Sequence, residues 1–324
     1  MLRAIFMGTP EFAVPSLLAL MDLADVTVVG VVTRLDKPVG RSRTPEPPPV
    51  KVAAVARGLT VLQPGSLRKP AAQQALADLA PDIIVVAAFG QILPAAILDL
   101  PRYGCLNVHA SLLPRYRGAA PIAAAILAGD AATGNTIMRM DVGLDTGDII
   151  AQATLPITPD DTTATLTAQL AIQGADLVAR TLPAWVAGTI QTTPQDAAQA
   201  TTTSLIRKED GRIDWALPAS IIARQVRAYT PWPGTQTMWN GQPFKIIAAH
   251  ELTADDHPPP DLALTANPGT VTAWGRGAAQ RVAMHCGEQS ALVLDVLQLP
   301  GKRAASAADV VRGQPTLVGA QLPL

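Results

Sequence analysis

The sequence is poor in cysteine and has no long apolar run. Its two cysteines, Cys105 and Cys286, lie far apart and match no metal-ligand spacing, which argues against a disulfide-rich scaffold or a zinc module and indicates a reducing compartment. We expect each to be a small hydrophobic core residue. The apolar runs, such as residues 26–32, are far shorter than a bilayer requires, so we expect a soluble protein with no membrane contact.

Neither sign of charge is in excess, with 25 basic and 26 acidic residues in 324. A general nucleic-acid binder normally carries a basic excess, so any nucleic-acid role must depend on local patches. A strand-like pattern begins within a few residues of Met1 and leaves no room for a charged and apolar leader. We therefore expect a cytoplasmic location.

The glycine pattern of dinucleotide-binding folds is also missing. In the segment FMGTPEFAV only Gly8 follows the first predicted strand, and the next residues are Thr9 and Pro10. The GxGxxG fingerprint needs three glycines, which argues against an NAD enzyme. Gly8 and Thr9 could still hold an anion or a polar group at the start of the following helix, where backbone N–H groups are free.

The first 150 residues alternate short β-branched runs with helical patterns. Runs such as RAIF, VTVVGVVT and CLNVHA are separated by helical segments such as EFAVPSLLALM and AAQQALADL. This alternation predicts an α/β fold, with a mostly parallel Rossmann-like sheet covered by helices on both faces. Ligands of such sheets bind outside the carboxyl ends of the strands.

The remainder predicts a linker and a second, smaller domain. Residues 189–206 are rich in Thr, Gln and Ala without a sustained period, which is typical of a linker. Beyond them, short β-like runs include a hairpin signal at Asn240 and Gly241, and roughly five such strands predict a small OB-like β-barrel. We expect a catalytic domain over 1–188 and a C-terminal domain over 207–324.

Polar residues interrupt one of the predicted buried strands. In GCLNVHASLLPRYRG, Asn107 and His109 stand two residues apart, and Ser111 extends the same row if the strand runs that far. A buried parallel strand should be almost continuously apolar, so these residues are either satisfied core polar groups at a strand end or part of a site. The row would face the crevice at the carboxyl edge of the sheet.

A second candidate is Asp145, in the glycine-rich link DVGLDTGD between two predicted strands. Asp141 and Asp148 are more simply explained as turn residues that bond the local backbone. If Asp145 meets His109, it would favour the imidazolium and fix the orientation of the ring. Asn107, His109 and Asp145 together would form an oxyanion and proton-transfer arrangement without a nucleophilic Ser or Cys.

These motifs resemble those of the 10-formyltetrahydrofolate-dependent formyltransferase family. NVHASLLPRYRGAAPI and DVGLDTGD carry the resemblance, which runs in order from residue 1 to about residue 313. FMGTPEFAVPSL, DKPVGRSR, KEDGRIDW and PWPG are similar to the branch that formylates methionine carried by initiator tRNA. The resemblance implies a formyltransferase fold followed by an OB-like tRNA-binding domain, and 10-formyltetrahydrofolate as co-substrate, with no metal.

The resemblance also implies roles for individual residues. The catalytic residues of the family fall on Asn107, His109 and Asp145. Its folate pocket falls on Phe89, Gly90, Gln91, Ile92, Leu93, Ser111, Leu112, Leu113, Pro114, Val142, Gly143 and Leu144. Its tRNA contacts fall on Arg34, Lys37, Arg41 and Arg43 in a basic loop, and we add Arg207, Lys208, Lys302 and Arg303 as candidate phosphate contacts.

The expected reaction is transfer of the formyl group to the α-amino group of methionine on initiator tRNA, by a monomer. A sibling formyltransferase acting on an amino sugar-nucleotide is the nearest alternative, although it would be expected to lack both the basic loop and KEDGRIDW. Hydrolysis of formyl-folate is a further sibling chemistry. A non-catalytic RNA-binding protein would explain the barrel but not the three polar residues, and a dehydrogenase would not explain the missing glycines.

Overall fold

The computed structural model describes residues 1–38, 44–260, 262 and 266–323. These residues form two compact units. The N-terminal unit contains Met1–Ile122, Ala131–Ile157 and Thr165–Ser204, and the C-terminal unit contains Ala123–Asp130, Thr158–Ala164 and Leu205–Leu324. The expected domain limits at residues 188 and 206 stay a prediction.

The N-terminal half of the chain alternates strands and helices. Its elements in chain order are β1 (Leu2–Gly8), α1 (Val14–Met21), β2 (Val26–Val32), β3 (Lys37–Pro38), β4 (Pro45–Glu46), α2 (Pro49–Val55), β5 (Val61–Leu62), α3 (Pro70–Ala77), β6 (Ile83–Ala87), α4 (Ala95–Leu98), β7 (Cys105–His109), β8 (Arg117–Gly118), α5 (Pro121–Ala128), β9 (Ala132–Arg139), β10 (Ile149–Pro156), α6 (Thr163–Val186) and β11 (Thr202–Thr203).

Among the described residues, the main strands of this unit form a seven-stranded sheet in the order β10-β9-β7-β6-β1-β2-β5. The five neighbouring strands β7, β6, β1, β2 and β5 are parallel to one another. Strands β9 and β10 are added at one edge in antiparallel pairings. Every residue of β6 is buried, as expected for a Val- and Ile-rich strand in the centre of a sheet covered on both faces. The predicted α/β fold class is confirmed.

Two short strands outside the main sheet also belong to this unit. The parallel pair β8 and β11 joins residues 117–118 to residues 202–203. Gly118 has a φ of +106°, and a Cβ atom there would lie 2.3 Å from the carbonyl oxygen of Thr203. Only glycine therefore allows the two backbones to approach this closely.

The C-terminal half is mostly antiparallel. Its elements are α7 (Ala219–Ala228), β12 (Thr235–Trp239), β13 (Gln242–Glu251), β14 (Val271–Trp274), β15 (Arg281–Cys286), β16 (Ser290–Gln298), β17 (Ala305–Ser306) and α8 (Ala307–Gly313). Among the described residues these strands form a six-stranded sheet, in the order β12-β13-β16-β15-β14, with β17 beside β16. This antiparallel sheet is consistent with the small barrel that the sequence predicts.

The core of this unit lies between one face of the sheet and its helices. Helix α7 places Ala219, Ile222 and Val226 on one side at helical spacing, and all are buried with Trp215 and Phe244. Within the described part of the chain, no helix combines the length and apolar character needed to cross a membrane.

Candidate active site

Strand β7 carries the polar residues that the sequence singles out. All five of its residues are buried, and Asn107 and His109 alternate with apolar residues, so their side chains leave the strand on the same face. The strand ends at His109, and Ser111 follows in a turn where its amide N–H donates to the carbonyl oxygen of His109 at 2.9 Å. The Ser111 hydroxyl donates to the carbonyl oxygen of Arg115 at 2.6 Å.

The imidazole of His109 lies between two oxygen atoms. Its Nε2 is 2.9 Å from the carbonyl oxygen of Tyr116, and its Nδ1 is 3.7 Å from Oδ2 of Asp145. Because a carbonyl oxygen can only accept, Nε2 must carry hydrogen. The other ring nitrogen, Nδ1, faces the Asp145 carboxylate.

The carboxylate of Asp145 is held by backbone as well as by the imidazole. The amide N–H of Gly118 donates to the same Oδ2 atom at 2.8 Å. Asp145 itself has a φ of +53°, in the left-handed region that Asp tolerates better than most residues. At Gly147 a Cβ atom would lie 1.7 Å from the carbonyl oxygen of Arg139, so the glycine lets this loop pack against the end of β9.

Asp141 has the local role that the sequence predicts. Its carboxylate accepts from the amide N–H of Gly143 at 3.0 Å and from the hydroxyl of Thr146 at 2.7 Å. Asp148 differs, because its Oδ2 accepts from the hydroxyl of Thr192 at 3.1 Å, far along the chain. The loop is therefore tied at both ends, while Asp145 at its centre reaches the imidazole.

Asn107 is buried, but its side-chain amide can still bind a ligand. Only 9% of the residue is exposed, and among the described residues no side chain or backbone group forms a hydrogen bond with its side-chain amide. The amide atoms are not among the fully buried unpartnered polar atoms of the described residues, so a ligand can still reach them. Its two N–H donors are thus free to bind a ligand oxygen beside His109.

The segments expected to hold folate combine buried anchors with exposed apolar side chains. Phe89 and Leu93 are buried in the core, whereas Ile92 is 73% exposed. In the loop before Asp145, Val142 and Leu144 are 82% and 61% exposed. Large exposed apolar side chains beside a polar site are typical of a ligand-binding surface.

The other residues predicted to contact folate lie in these two loops and in the segment that follows β7. Gly90 is exposed and Gln91 is half-buried in the loop after β6, where the Gln91 amide donates to the carbonyl oxygen of Pro64 at 3.0 Å. Leu113 is buried, Leu112 and Pro114 are half-buried, and Gly143 is exposed. Because β6 and β7 are parallel neighbours, the segments that follow them share the carboxyl edge of the sheet.

The basic residues predicted to contact tRNA fall into three groups. The guanidinium of Arg34 donates to the carbonyl oxygen of Gly90, so this side chain contacts the predicted folate loop. Lys37 is exposed in β3, and Arg41 and Arg43 lie outside the described residues. The side chains in the C-terminal unit are all exposed: Arg207, Lys208, Lys302 and Arg303.

Two residues that contact His109 or the Asp145 loop could not be assigned these contacts from the sequence. Tyr116 contributes its backbone carbonyl, which any residue possesses. Gln195 lies in the predicted linker, yet its side-chain amide donates to the carbonyl oxygens of Asp145 and Gly147. No periodicity or local pattern signals either contact.

Comparison with protein families identifies the class to which this fold and site belong. Residues 2–182 match the family described as formyl transferase, and residues 205–315 match the formyl transferase C-terminal domain. The chain therefore belongs to the formyl transferase family, and it is an enzyme of that class.

Its relatives are more specific. The chain is 47% identical over 312 residues to the methionyl-tRNA formyltransferase of Chloroflexus aggregans, covering 96% of this chain and 97% of the relative. It is 48% identical over 314 residues to the methionyl-tRNA formyltransferase of Roseiflexus castenholzii, covering 96% of each.

Solved structures share the fold at low sequence identity. An N-formyltransferase from Helicobacter canadensis, in complex with folinic acid and dTDP-3-aminofucose, superimposes with a TM-score of 0.65 at 19% identity. The match covers 91% of this chain and 99% of that one. HypX from Aquifex aeolicus in complex with tetrahydrofolic acid gives a TM-score of 0.58 at 18% identity, covering 95% of this chain and 46% of that one.

Proposed function

We propose that this protein transfers the formyl group of 10-formyltetrahydrofolate to the α-amino group of methionine on initiator tRNA, which yields N-formylmethionyl-tRNA for translation initiation. The observation that carries the proposal is similarity at 47–48% identity, over almost the full length, to methionyl-tRNA formyltransferases. The pairing of His109 with Asp145 beside an unpartnered Asn107 supports the same chemistry.

The reaction begins with attack by the free amine on the formyl carbon. An α-amino group titrates at about 7.7 to 8.0, so a useful fraction is neutral near pH 7.5. Attack forms the new C–N bond and moves the carbonyl electrons onto oxygen. Asn107 is the protein group best able to stabilise that oxyanion, because its amide hydrogens have no partner among the described residues.

His109 contributes mainly through its charge and its fixed orientation. Its Nε2–H is directed at the Tyr116 carbonyl and its Nδ1 at Asp145, so it could donate to the oxyanion only by leaving one of these contacts. An imidazolium in a site with 6% exposure of the histidine side chain still stabilises a developing negative charge nearby.

Asp145 completes the proton transfer. It keeps His109 charged and, directly or through water, accepts the proton that the attacking amine loses. That proton is returned to N10 of the folate as the C–N10 bond breaks, so tetrahydrofolate leaves with its amine neutral. The electron pair on the oxyanion re-forms the carbonyl of the product amide.

The folate would lie between the loop after β6 and the loop that precedes Asp145. Ile92, Val142 and Leu144 offer apolar contact to its rings, while backbone groups of the same loops can read their polar edges. The acceptor end of the tRNA would approach with its charged methionine. We propose that five exposed basic residues contact its phosphates: Lys37, Arg207, Lys208, Lys302 and Arg303. We also expect the protein to be a cytoplasmic monomer.

The proposal is tested by incubating the protein with formyl-labelled 10-formyltetrahydrofolate and methionyl initiator tRNA. We expect label on the methionine, at a rate much higher than with a charged elongator tRNA. An amino sugar-nucleotide serves as the second acceptor. Label on the sugar but not on methionyl-tRNA would assign the protein to the sibling activity, and formate released independently of tRNA would indicate hydrolysis.

A further inference from the structure

The segment from Thr192 to Thr203 lies between the two ranges that match formyl transferase families, which end at 182 and resume at 205. The sequence predicts a linker here, but the structure places it against the candidate active site, within the N-terminal unit. Its contacts reach both groups that flank the imidazole of His109.

Gln195 binds the loop that carries Asp145. Its Nε2 donates to the carbonyl oxygens of Asp145 at 2.9 Å and Gly147 at 2.7 Å. Its Oε1 accepts from Nε and Nη2 of Arg117 at 2.9 and 2.8 Å. Both amide hydrogens and both lone pairs are therefore used, and one half-buried side chain links the Asp145 loop to β8.

The end of the same segment binds the chain around Tyr116. The hydroxyl of Thr201 accepts from the amide N–H of Tyr116 at 2.8 Å, and its carbonyl oxygen accepts from the amide N–H of Arg117 at 2.9 Å. Strand β11 then pairs with β8, whose Gly118 donates its amide N–H to the carboxylate of Asp145.

From these contacts we infer that two side chains of this segment, Gln195 and Thr201, form an active-site brace, in which Gln195 positions Asp145 and Thr201 positions the Tyr116 carbonyl against His109. Gln195 and Thr201 are positioning residues, because neither touches the reacting atoms. The inference rests on the proposed function, since it assigns this segment to the same formyl transfer. A change in the brace should lower the rate of transfer without weakening substrate binding.

Gln195→Glu and Gln195→Ala test the brace. The glutamate keeps the fork with Arg117 but cannot donate to the carbonyl oxygens of Asp145 and Gly147. We expect kcat to fall roughly 10- to 100-fold, because an ångström of misplacement at a catalytic group has effects of this size. KM for both substrates should stay within about 2-fold of wild type, the split expected when only the transition state is affected. The same substitutions at Gln199, an exposed neighbour bonded to Asp196, should leave kcat unchanged.

A double-mutant cycle distinguishes positioning from a general loss of structure. If Gln195 acts through Asp145, then Gln195→Ala in an Asp145→Asn background should lower kcat by less than about 2-fold further. Independent, multiplicative losses would overturn the inference. Wild-type kcat in Gln195→Ala would overturn it as well.

Hydrogen exchange gives a readout that does not require activity. The amide of Gly118 reports on Asp145 directly, because it donates to that carboxylate. In both Gln195 variants we expect faster amide exchange at Gly118 and at residues 145–147. In Thr201→Val we expect faster exchange at the amide of Tyr116, which donates to the Thr201 hydroxyl. Thr202→Val is the matched control and should leave exchange at Tyr116 unchanged. Unchanged exchange would reject the brace. A wild-type protein that shows no transfer to methionyl-tRNA would refute the proposed function instead, while exchange would still decide whether the brace exists.

Discussion

At the scale of single residues, the site depends on the hydrogen bond between the imidazole of His109 and the backbone carbonyl of Tyr116. The Tyr116 carbonyl requires hydrogen on Nε2 of His109, which leaves Nδ1 to face Asp145. The ring is therefore held in one orientation, with Nε2 hydrogen-bonded to the Tyr116 carbonyl and Nδ1 on the side of Asp145. Asn107 differs from it, since its amide has no partner in the described part of the chain.

Substitution of Asn107 should therefore affect catalysis much more than folding. We predict that Asn107→Ala lowers kcat for formyl transfer by about 100- to 1,000-fold, the usual effect of removing one oxyanion donor. Folate binding and the thermal unfolding midpoint should change little, because no described protein group loses a hydrogen bond. A formyl-transfer rate close to that of wild type in a single-turnover experiment would contradict the role given to this residue.

The sequence predicts the three polar residues but not their supports. Asn107 and His109 are visible because they interrupt an apolar strand, and Asp145 because it stands in a glycine-rich turn. Their catalytic roles stay predictions. Tyr116 acts through its main chain, and Gln195 acts from a distance of about fifty positions along the chain, so neither leaves a local signal. Long-range hydrogen bonds of this kind are set by the tertiary fold.

At the scale of elements, local turn chemistry is predicted well. The Asn240–Gly241 pair joins β12 and β13, with φ values of +48° and +71°, and Trp239 pairs with Gln242 across the turn. Asn and Gly tolerate positive φ, and a two-residue hairpin of this type requires it. The hairpin expected from this dipeptide is confirmed. By contrast, β8 and β11 are two residues each and depend on a pairing between residues far apart in sequence.

Strands β13 and β16 carry a titratable cluster in the C-terminal unit. His250 Nδ1 lies 2.9 Å from Oδ2 of Asp295, and its Nε2 lies 3.0 Å from Oδ1 of Asp256. Burial alone would lower the pKa of His250, but the hydrogen bonds and charges of Asp295 and Asp256 together outweigh burial and raise it. The folded protein therefore binds the imidazolium proton more tightly than the unfolded chain does.

The raised pKa predicts how this unit responds to pH. Charged His250 adds to the free energy of unfolding. This contribution is fully present below about pH 6.5, the ordinary pKa of histidine, and it is lost as pH rises through the higher pKa of His250 in the folded state. The difference in unfolding midpoint between wild type and His250→Gln should thus shrink between about pH 5.5 and pH 8.5. Buried His285, whose pKa burial lowers, acts in the opposite direction and cancels in this difference.

Calorimetric scans of both proteins across that range provide the measurement. His257→Asn, a change at an exposed histidine in the same unit, is the matched control and should show no such trend. A wild-type advantage that stays constant or grows with pH would show that the two carboxylates do not hold His250 in its charged form.

At the scale of the whole molecule, the near-neutral charge makes the proposed tRNA contacts local. Arg207, Lys208, Lys302 and Arg303 are exposed in the C-terminal unit, and each phosphate contact should release counterions on binding. We predict that Lys208→Ala weakens tRNA binding and reduces the slope of log K against log salt by about 1. Lys69→Ala, at an exposed lysine not assigned to RNA, is the control and should leave the slope unchanged. An equal slope in both variants would show that Lys208 does not contact a phosphate.

The order of elements also sets what could be predicted about the whole fold. Alternating β-branched and helical segments predict the α/β class, because a parallel sheet needs a crossover between successive strands, and that class is confirmed. The glycine-rich link VGLDTG is typical of a hairpin or a tight loop, which agrees with the antiparallel pairing of β9 and β10, whereas the antiparallel pairing of β9 with β7 could not be predicted from apolar patterns. Composition alone predicts the linker, and composition carries no information about the contact of Gln195 with the Asp145 loop.

A structure of the protein with a stable 10-formyl-folate analogue bound would test the central claim most directly. The measured quantity is the distance from Nδ2 of Asn107 to the formyl oxygen, with the carboxylate of Asp145 still beside His109. The account predicts a distance of about 2.7 to 3.1 Å, as expected for an oxyanion donor. A formyl group bound elsewhere, out of reach of Asn107 and of the His109–Asp145 pair, would contradict it.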